Sequence, residues 1–151
     1  MPLEILNRQR KVRFDAAALM PRFEAALAAA GVGDRDVTLV LVSDRAIRVL
    51  NRDWRGIDQP TDCLSFPADE GEGAAFAGPH LGDIVISLER AREQGPIHVE
   101  EDTSPESALE AEVVFLFVHS LLHLMGYDHQ TPAQTRNMRT KEKAVLAGFR
   151  R

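Results

Sequence analysis

The sequence predicts a single domain of the α/β class, more narrowly α+β, with a mixed sheet of about four strands packed against helices. Three observations lead there. The chain has 151 residues, 44% of them apolar and 27% charged, with a net charge of -5, and these are the values of one ordinary domain. A chain of this length buries roughly two-thirds of the surface its unfolded form exposes, so it needs no disulfide or structural metal merely to hold a core. Two runs rich in β-branched residues, DVTLVLVS at 36–43 and LGDIVISL at 81–88, have the length and composition of strands. Helical periodicity lies between and after them, so strands and helices mix within one unit. No internal repeat or long linker divides the chain, and one domain over residues 1–151 is expected.

The elements follow in order. Leu3 and Ile5, with Val12 and Phe14, suggest an N-terminal strand or hairpin. Asp15 is placed to cap an alanine-rich helix that Gly31 stops, and Pro21 either kinks that helix or marks its start. The strand at 36–43 should be central. Asp44 then caps a short helix, DRAIRVLNRDW, whose Ile47, Leu50 and Trp54 recur at helical spacing, with Arg45, Arg48 and Arg52 on the other face. RGIDQPTD, residues 55–62, has the Gly, Pro and Asp punctuation of a loop and leads into a short strand, CLSF, ending at Pro67. Residues 68–80 are Gly-rich and acidic, a mobile surface loop by composition. After the strand at 81–88, ERAREQG reads as a helix closed by Gly95, and PIHVEEDTSP as a polar connection. Thr103 or Ser104 with Pro105 opens a long helix through Met125, stopped by Gly126, and Thr131-Pro132 starts a final helix to Gly148.

Several function classes are excluded. Cys63 is the only cysteine, so no disulfide framework exists and a secreted mini-protein is ruled out. The longest apolar stretch, Val113 to Met125, is broken by His119, Ser120 and His123 and falls short of the roughly 20 residues of a membrane span. The start, MPLEILNRQRKVRF, is charged where a signal peptide would be apolar. A cytoplasmic protein with no membrane partner is expected. Between Pro67 and Glu112 there are 12 acids and 2 bases, so a positive excess lies elsewhere, mostly in the tail, where Arg136, Arg139, Lys141, Lys143, Arg150 and Arg151 face only Glu142. Such a face attracts phosphate or serves as a solvated helix surface.

The informative segment is HSLLHLMGYDH, residues 119–129. Four residues apart in a helical stretch, His119 and His123 project from one face within reach of one ion. Gly126 lets the chain leave the helix through a left-handed conformation and return His129 towards the pair. This H-x-x-x-H-x-x-G-x-x-H spacing is the skeleton of the metzincin metalloproteases, which makes a metalloprotease-like arrangement and one Zn²⁺ ion the expectation. Three histidines would leave a fourth position open for water, and an open position implies chemistry. A zinc protease, however, needs the glutamate of HExxH as general base, and Ser120 stands there. A phosphodiester suits the site better, because its transition state gathers negative charge that a metal and an arginine stabilise together.

These residues resemble the YbeY family of bacterial endoribonucleases. HSLLHLMGYDH is similar to the family motif HGxLHLxGYDH, NRDWRGIDQPTDCLSFP to its second signature NxxxRxxxxPTDVLSFP, and LGDIVIS to a recurrent family strand; together they span about Asp36 to His129. The resemblance implies a metal-dependent, single-strand-specific endoribonuclease acting in 16S rRNA 3′-end maturation and ribosome quality control, with single-stranded RNA and the small ribosomal subunit as partners. It also implies that His119, His123 and His129 are the zinc ligands and Arg55 the functional arginine, with Thr61, Asp62 and Ser65 continuing its loop. Ser120 replaces the motif glycine and Cys63 a valine; the helix should survive, with a hydroxyl added near the metal.

Other residues carry two readings each. Arg55 is either a guanidinium aimed at a phosphate oxygen or an ordinary surface arginine. Asp128 either orients a liganding imidazole or satisfies turn backbone. Cys63 either completes a closed Cys-His₃ site or is a small buried hydrophobe, and Tyr127 either packs on the metal loop or stacks on a base. His80 and His98 lie outside the motif and receive no role. Two alternatives to the nuclease stand: a ribosome-assembly factor with a structural zinc, and a zinc hydrolase of another substrate.

Overall fold

The computed structural model describes residues 3–68, 80–98 and 103–149. The elements run β1 (Leu3–Asn7), α1 (Ala16–Ala29), β2 (Asp36–Val42), α2 (Asp44–Arg55), β3 (Cys63–Pro67), β4 (His80–Ser87), α3 (Leu88–His98), α4 (Pro105–Leu124) and α5 (Pro132–Phe149). They form the expected α+β architecture around one four-stranded mixed sheet of order β1-β2-β4-β3. β1, β2 and β4 are parallel, whereas β3 pairs antiparallel to β4, with Ser65 opposite Ile84, and forms an edge.

Period-two alternation divides the sheet between two cores. Leu39, Leu41, Ile84 and Ile86 face the main core with α1 and α4. Val42 and Val85 face the other way, joining Leu64 and Ile47 of α2 in a smaller cluster. Phe23 of α1 and Phe117 of α4 are fully buried with ring centroids 4.8 Å apart, and burying side chains of this size stabilises by roughly 1.5–3 kcal/mol each. Among the described residues, α4 is the one helix long and apolar enough to cross a membrane; here it is the central core helix, buried from Val113 to Leu124 on most of its surface.

Of the two N-terminal readings, strand or hairpin, the strand holds: β1 runs parallel to β2, and Val12 lies in the connection because the Gln9 side chain closes a turn on it, with Nε2 to Val12 O and Val12 N to Oε1 both at 2.9 Å. Three expectations are corrected. Ser43, not Asp44, caps α2, its Oγ accepting from Ala46 N at 3.2 Å. The Asp44 carboxylate instead reaches across the fold, accepting from Ser87 Oγ at 2.6 Å and Arg90 Nε at 3.2 Å. Trp54 is not part of the buried face of α2 but 70% exposed, because the helix runs past the end of the small cluster that covers Ile47. Gly95 does not close α3, which continues to His98. A Cβ at Gly95 would lie 2.6 Å from the Ala108 carbonyl oxygen, so this glycine permits close approach of α3 to α4.

Other boundaries agree. Asp15 caps α1, accepting from Ala18 N at 3.2 Å, and Pro21 lies inside that helix and does not start it. Ser104 caps α4 with Pro105 in the first turn, and α5 begins at Pro132. Of the acidic run at 68–80, residues 69–79 lie outside the described residues, while His80 already belongs to β4.

Candidate metal centre

The last turns of α4 carry His119 and His123 on one face. At the end of the helix Gly126 adopts φ +100, and Tyr127 N donates to Leu122 O at 3.0 Å, so the chain reverses and returns His129 to the pair. One ligand nitrogen from each of the three rings lies within 4.8 Å of the other two. His119 Nε2 and His123 Nε2 are 3.3 Å apart. Two nitrogens held at about 2.0–2.1 Å by one tetrahedral zinc would be about 3.3–3.4 Å apart, so this donor pair fits that ion. Among the described residues no fourth His, Cys, Asp or Glu joins the three.

Each imidazole is prepared differently. The Glu142 carboxylate of α5 accepts from His119 Nδ1 at 2.6 Å. That contact puts the ring proton on Nδ1 and turns the Nε2 lone pair towards His123, the usual carboxylate–histidine support of a metal ligand. His123 is held below its ordinary pKa by burial, then by the neighbouring His119 and His129, with Asp128 opposing, which favours the neutral ring that coordination needs. His129 is exposed on the turn. Asp128 accepts from His129 N at 2.7 Å, so it satisfies turn backbone rather than a liganding ring.

The three rings line one wall of a cleft of about 670 Å³, and Arg55, the segment from Thr61 to Ser65 and Pro67 line the rest. Arg55 is the last residue of α2, where Gly56 in the left-handed region (φ +72) ends the helix and turns the chain into the loop. On the same helix Arg48 is tied to Asp58 at 2.9 Å and Arg52 to Asp53 at 3.0 Å. Arg55 has neither an ion pair nor a hydrogen bond among the described residues, so its cation is available to a ligand in the cleft. The loop is fixed by Asn51 Nδ2 to Gln59 O at 2.8 Å and by Ser87 N to Asp62 O at 2.9 Å, and Ser65 Oγ donates to Ser120 O at 3.1 Å, joining β3 to α4.

Cys63 lines the cleft but is not one of the clustered ligands. It packs against the main core, and burial, then the Asp62 charge, pushes its thiol above the ordinary range, with the Ser120 hydroxyl opposing. The small-hydrophobe reading is the one supported. Ser120 is fully buried in α4, which survives the serine, and it is not among the residues that line the metal cleft. Tyr127 both lines the cleft and packs on the core. His80 and His98 stand apart, paired with Asp83 at 3.1 Å and Glu112 at 3.0 Å.

Glu142 is the residue that sequence reasoning missed. Its one signal was its isolation as the only acid after His129. Glu142→Gln, which keeps the shape and removes the charge, is expected to weaken metal affinity by about 10–100-fold, read by competition against a chromophoric chelator. Unchanged affinity would reduce Glu142 to a packing residue.

A family model described as endoribonuclease YbeY matches residues 4–150. Relatives named endoribonuclease YbeY include one from Thermus thermophilus, 42% identical over 149 residues that cover 96% of this chain and 99% of the relative. Another, from Pelotomaculum thermopropionicum, is 42% identical over 152 residues, covering 97% and 95%. The solution structure of TM1509 from Thermotoga maritima superposes with a TM-score of 0.57 at 25% identity, covering 98% of this chain and 91% of that one. With a family match over nearly its whole length and relatives this similar end to end, the chain belongs to the endoribonuclease YbeY family.

Proposed function

We propose that this protein is a zinc-dependent endoribonuclease that cuts single-stranded RNA in 16S rRNA 3′-end maturation and ribosome quality control. The small ribosomal subunit is its partner, the cytoplasm its compartment, and residues 1–151 one functional domain. The observation that carries the reading is the juxtaposition of three convergent imidazoles and an unpaired arginine in one cleft. His119, His123 and His129 would hold the ion, and Arg55 is the catalytic cation. Bound there, zinc supplies Lewis acidity at the reacting phosphodiester.

The protein's own residues do the rest. Glu142 keeps the His119 ring in one tautomer and one orientation, so the donor set is rigid before substrate arrives. Gly126 and the Asp128 contact hold the turn that presents His129. Arg55, free of any acidic partner, offers its planar fork to the non-bridging oxygens, where charge grows in the transition state. Ser120, inside α4 where a zinc protease has its glutamate base, leaves peptide hydrolysis by that route without its proton acceptor. The absence of a fourth clustered ligand among the described residues favours catalysis over a purely structural zinc. Exposed Arg136, Arg139 and Lys143 on α5 provide a basic face for the RNA backbone.

The test is a substrate panel. Protein stripped by a chelator and reloaded with zinc is expected to cleave single-stranded RNA, to spare duplex RNA, peptides and esters, and to lose cleavage when stripped again. Elemental analysis should find one zinc per chain. Cleavage that persists without metal, or a preference for peptide or ester, would overturn the proposal.

A further inference from the structure

We infer that Trp54 is a stacking platform for a base of the single-stranded RNA whose backbone Arg55 engages, an inference that rests on the nuclease reading above. Helical spacing would bury this side chain with Ile47 and Leu50, yet the fold leaves it 70% exposed, while Ile47 is fully covered. Exposure of so large an apolar ring costs hydrophobic stabilisation. The ring is nevertheless not loose: it meets Phe66 edge to face, with centroids 5.9 Å apart and planes at 73°. Phe66 is itself anchored in the small cluster beneath α2. One side of the indole is thus braced, and the rest faces solvent.

Its neighbours specify the ligand. Arg55, the next residue, lines the metal cleft, and Ser65 and Pro67, which flank Phe66 on β3, line it too. Phe66 faces the opposite side of the edge strand from Ser65 and Pro67, so Trp54 stands beside Arg55 and next to the cleft, outside its lining and across the edge strand from the histidines. A single-stranded nucleic acid offers both an anionic backbone and unpaired π-faces, and proteins that hold one pair cations with aromatic platforms. On the same helix Arg48 and Arg52 are each paired with an acid, Asp58 and Asp53, which leaves Arg55, among the described residues, as the unpaired cation adjoining Trp54. Stacking accordingly supplies a hold on the strand that salt does not screen, next to one cation whose contribution salt does screen. Duplex bases are stacked on one another and cannot use the platform, so Trp54 would favour single strands.

Trp54 is the only tryptophan, so its emission reports on this contact directly. Full-length protein held in chelator, to prevent cutting, is titrated with a short oligoadenylate and with an abasic ribose-phosphate strand of equal length. Saturable quenching by the oligoadenylate and little by the abasic strand is expected. With zinc restored, Trp54→Ala should raise KM for single-stranded RNA by about tenfold with kcat and metal content little changed, and Trp54→Phe should recover most of the loss. The salt dependence of binding should be the same for Trp54→Ala as for wild type, whereas Arg55→Ala flattens it by about the share of one phosphate. Emission that does not respond, equal quenching by the abasic strand, or an unaltered KM in Trp54→Ala would overturn the stacking role while wild-type cleavage kept the nuclease reading intact. A zinc-loaded wild type that neither bound nor cut RNA would remove both.

Discussion

Replacing His119 by Ala is expected to abolish bound zinc and RNA cleavage together, with the largest effect of any single change in the cleft. This ring is the hub of the site. Its Nε2 lies 3.3 Å from that of His123, its plane stacks near His129 with centroids 5.9 Å apart, and its Nδ1 meets Glu142 at 2.6 Å. Removing it leaves two imidazoles, too few for the ligand sets that hold zinc in proteins. It also strands the Glu142 carboxylate, 9% exposed and without its partner, and an unpaired buried charge is costly. Some loss of stability should therefore accompany His119→Ala. His123→Ala, which leaves the Glu142 contact in place, separates the two effects: it should lose metal and activity with a smaller change in the urea midpoint. Elemental analysis, circular dichroism and a cleavage assay on both variants make the measurement. Cleavage at the wild-type rate by either variant in a metal-free state would end the assignment.

What could be read before the fold was known depended on how local the determinants are. β2 and β4 are legible because their β-branched runs are long enough to cross a buried sheet. The histidine trio is legible because helix pitch and one left-handed glycine place all three rings within eleven residues of chain. Arg55 is legible only through the family motif, since its position opposite the histidines depends on how α2 and the following loop cross β3. The features that escaped are contacts between segments far apart in sequence. Glu142 reaches His119 from α5, Gly95 matters because of the Ala108 carbonyl on α4, and Asp44 serves Ser87 and Arg90 rather than its own helix. Trp54 escaped for the opposite reason: the apolar period of α2 continues past the point where the core beneath it ends.

Arg55→Ala separates chemistry from metal binding. No described side chain depends on Arg55, which is exposed and unpaired at the end of α2, so stability should stay within about 0.5 kcal/mol of wild type and the zinc content should be unchanged. Cleavage, in contrast, should fall by about 10²–10³-fold, because a preorganised cation aimed at developing charge is worth more in the transition state than in the bound substrate. The loss should therefore appear mainly in kcat. Arg55→Lys should recover little: a lysine restores the charge but not the planar fork that meets two phosphoryl oxygens at once. Single-turnover cleavage by the zinc-loaded variants is the decisive measurement. A variant that cuts at the wild-type rate would make Arg55 ordinary surface, and the remaining rate would then have to come from the histidine wall of the cleft alone. If the expected loss is found with zinc still bound, the metal holds its place without Arg55 but needs that cation across the cleft for the phosphodiester to react at speed.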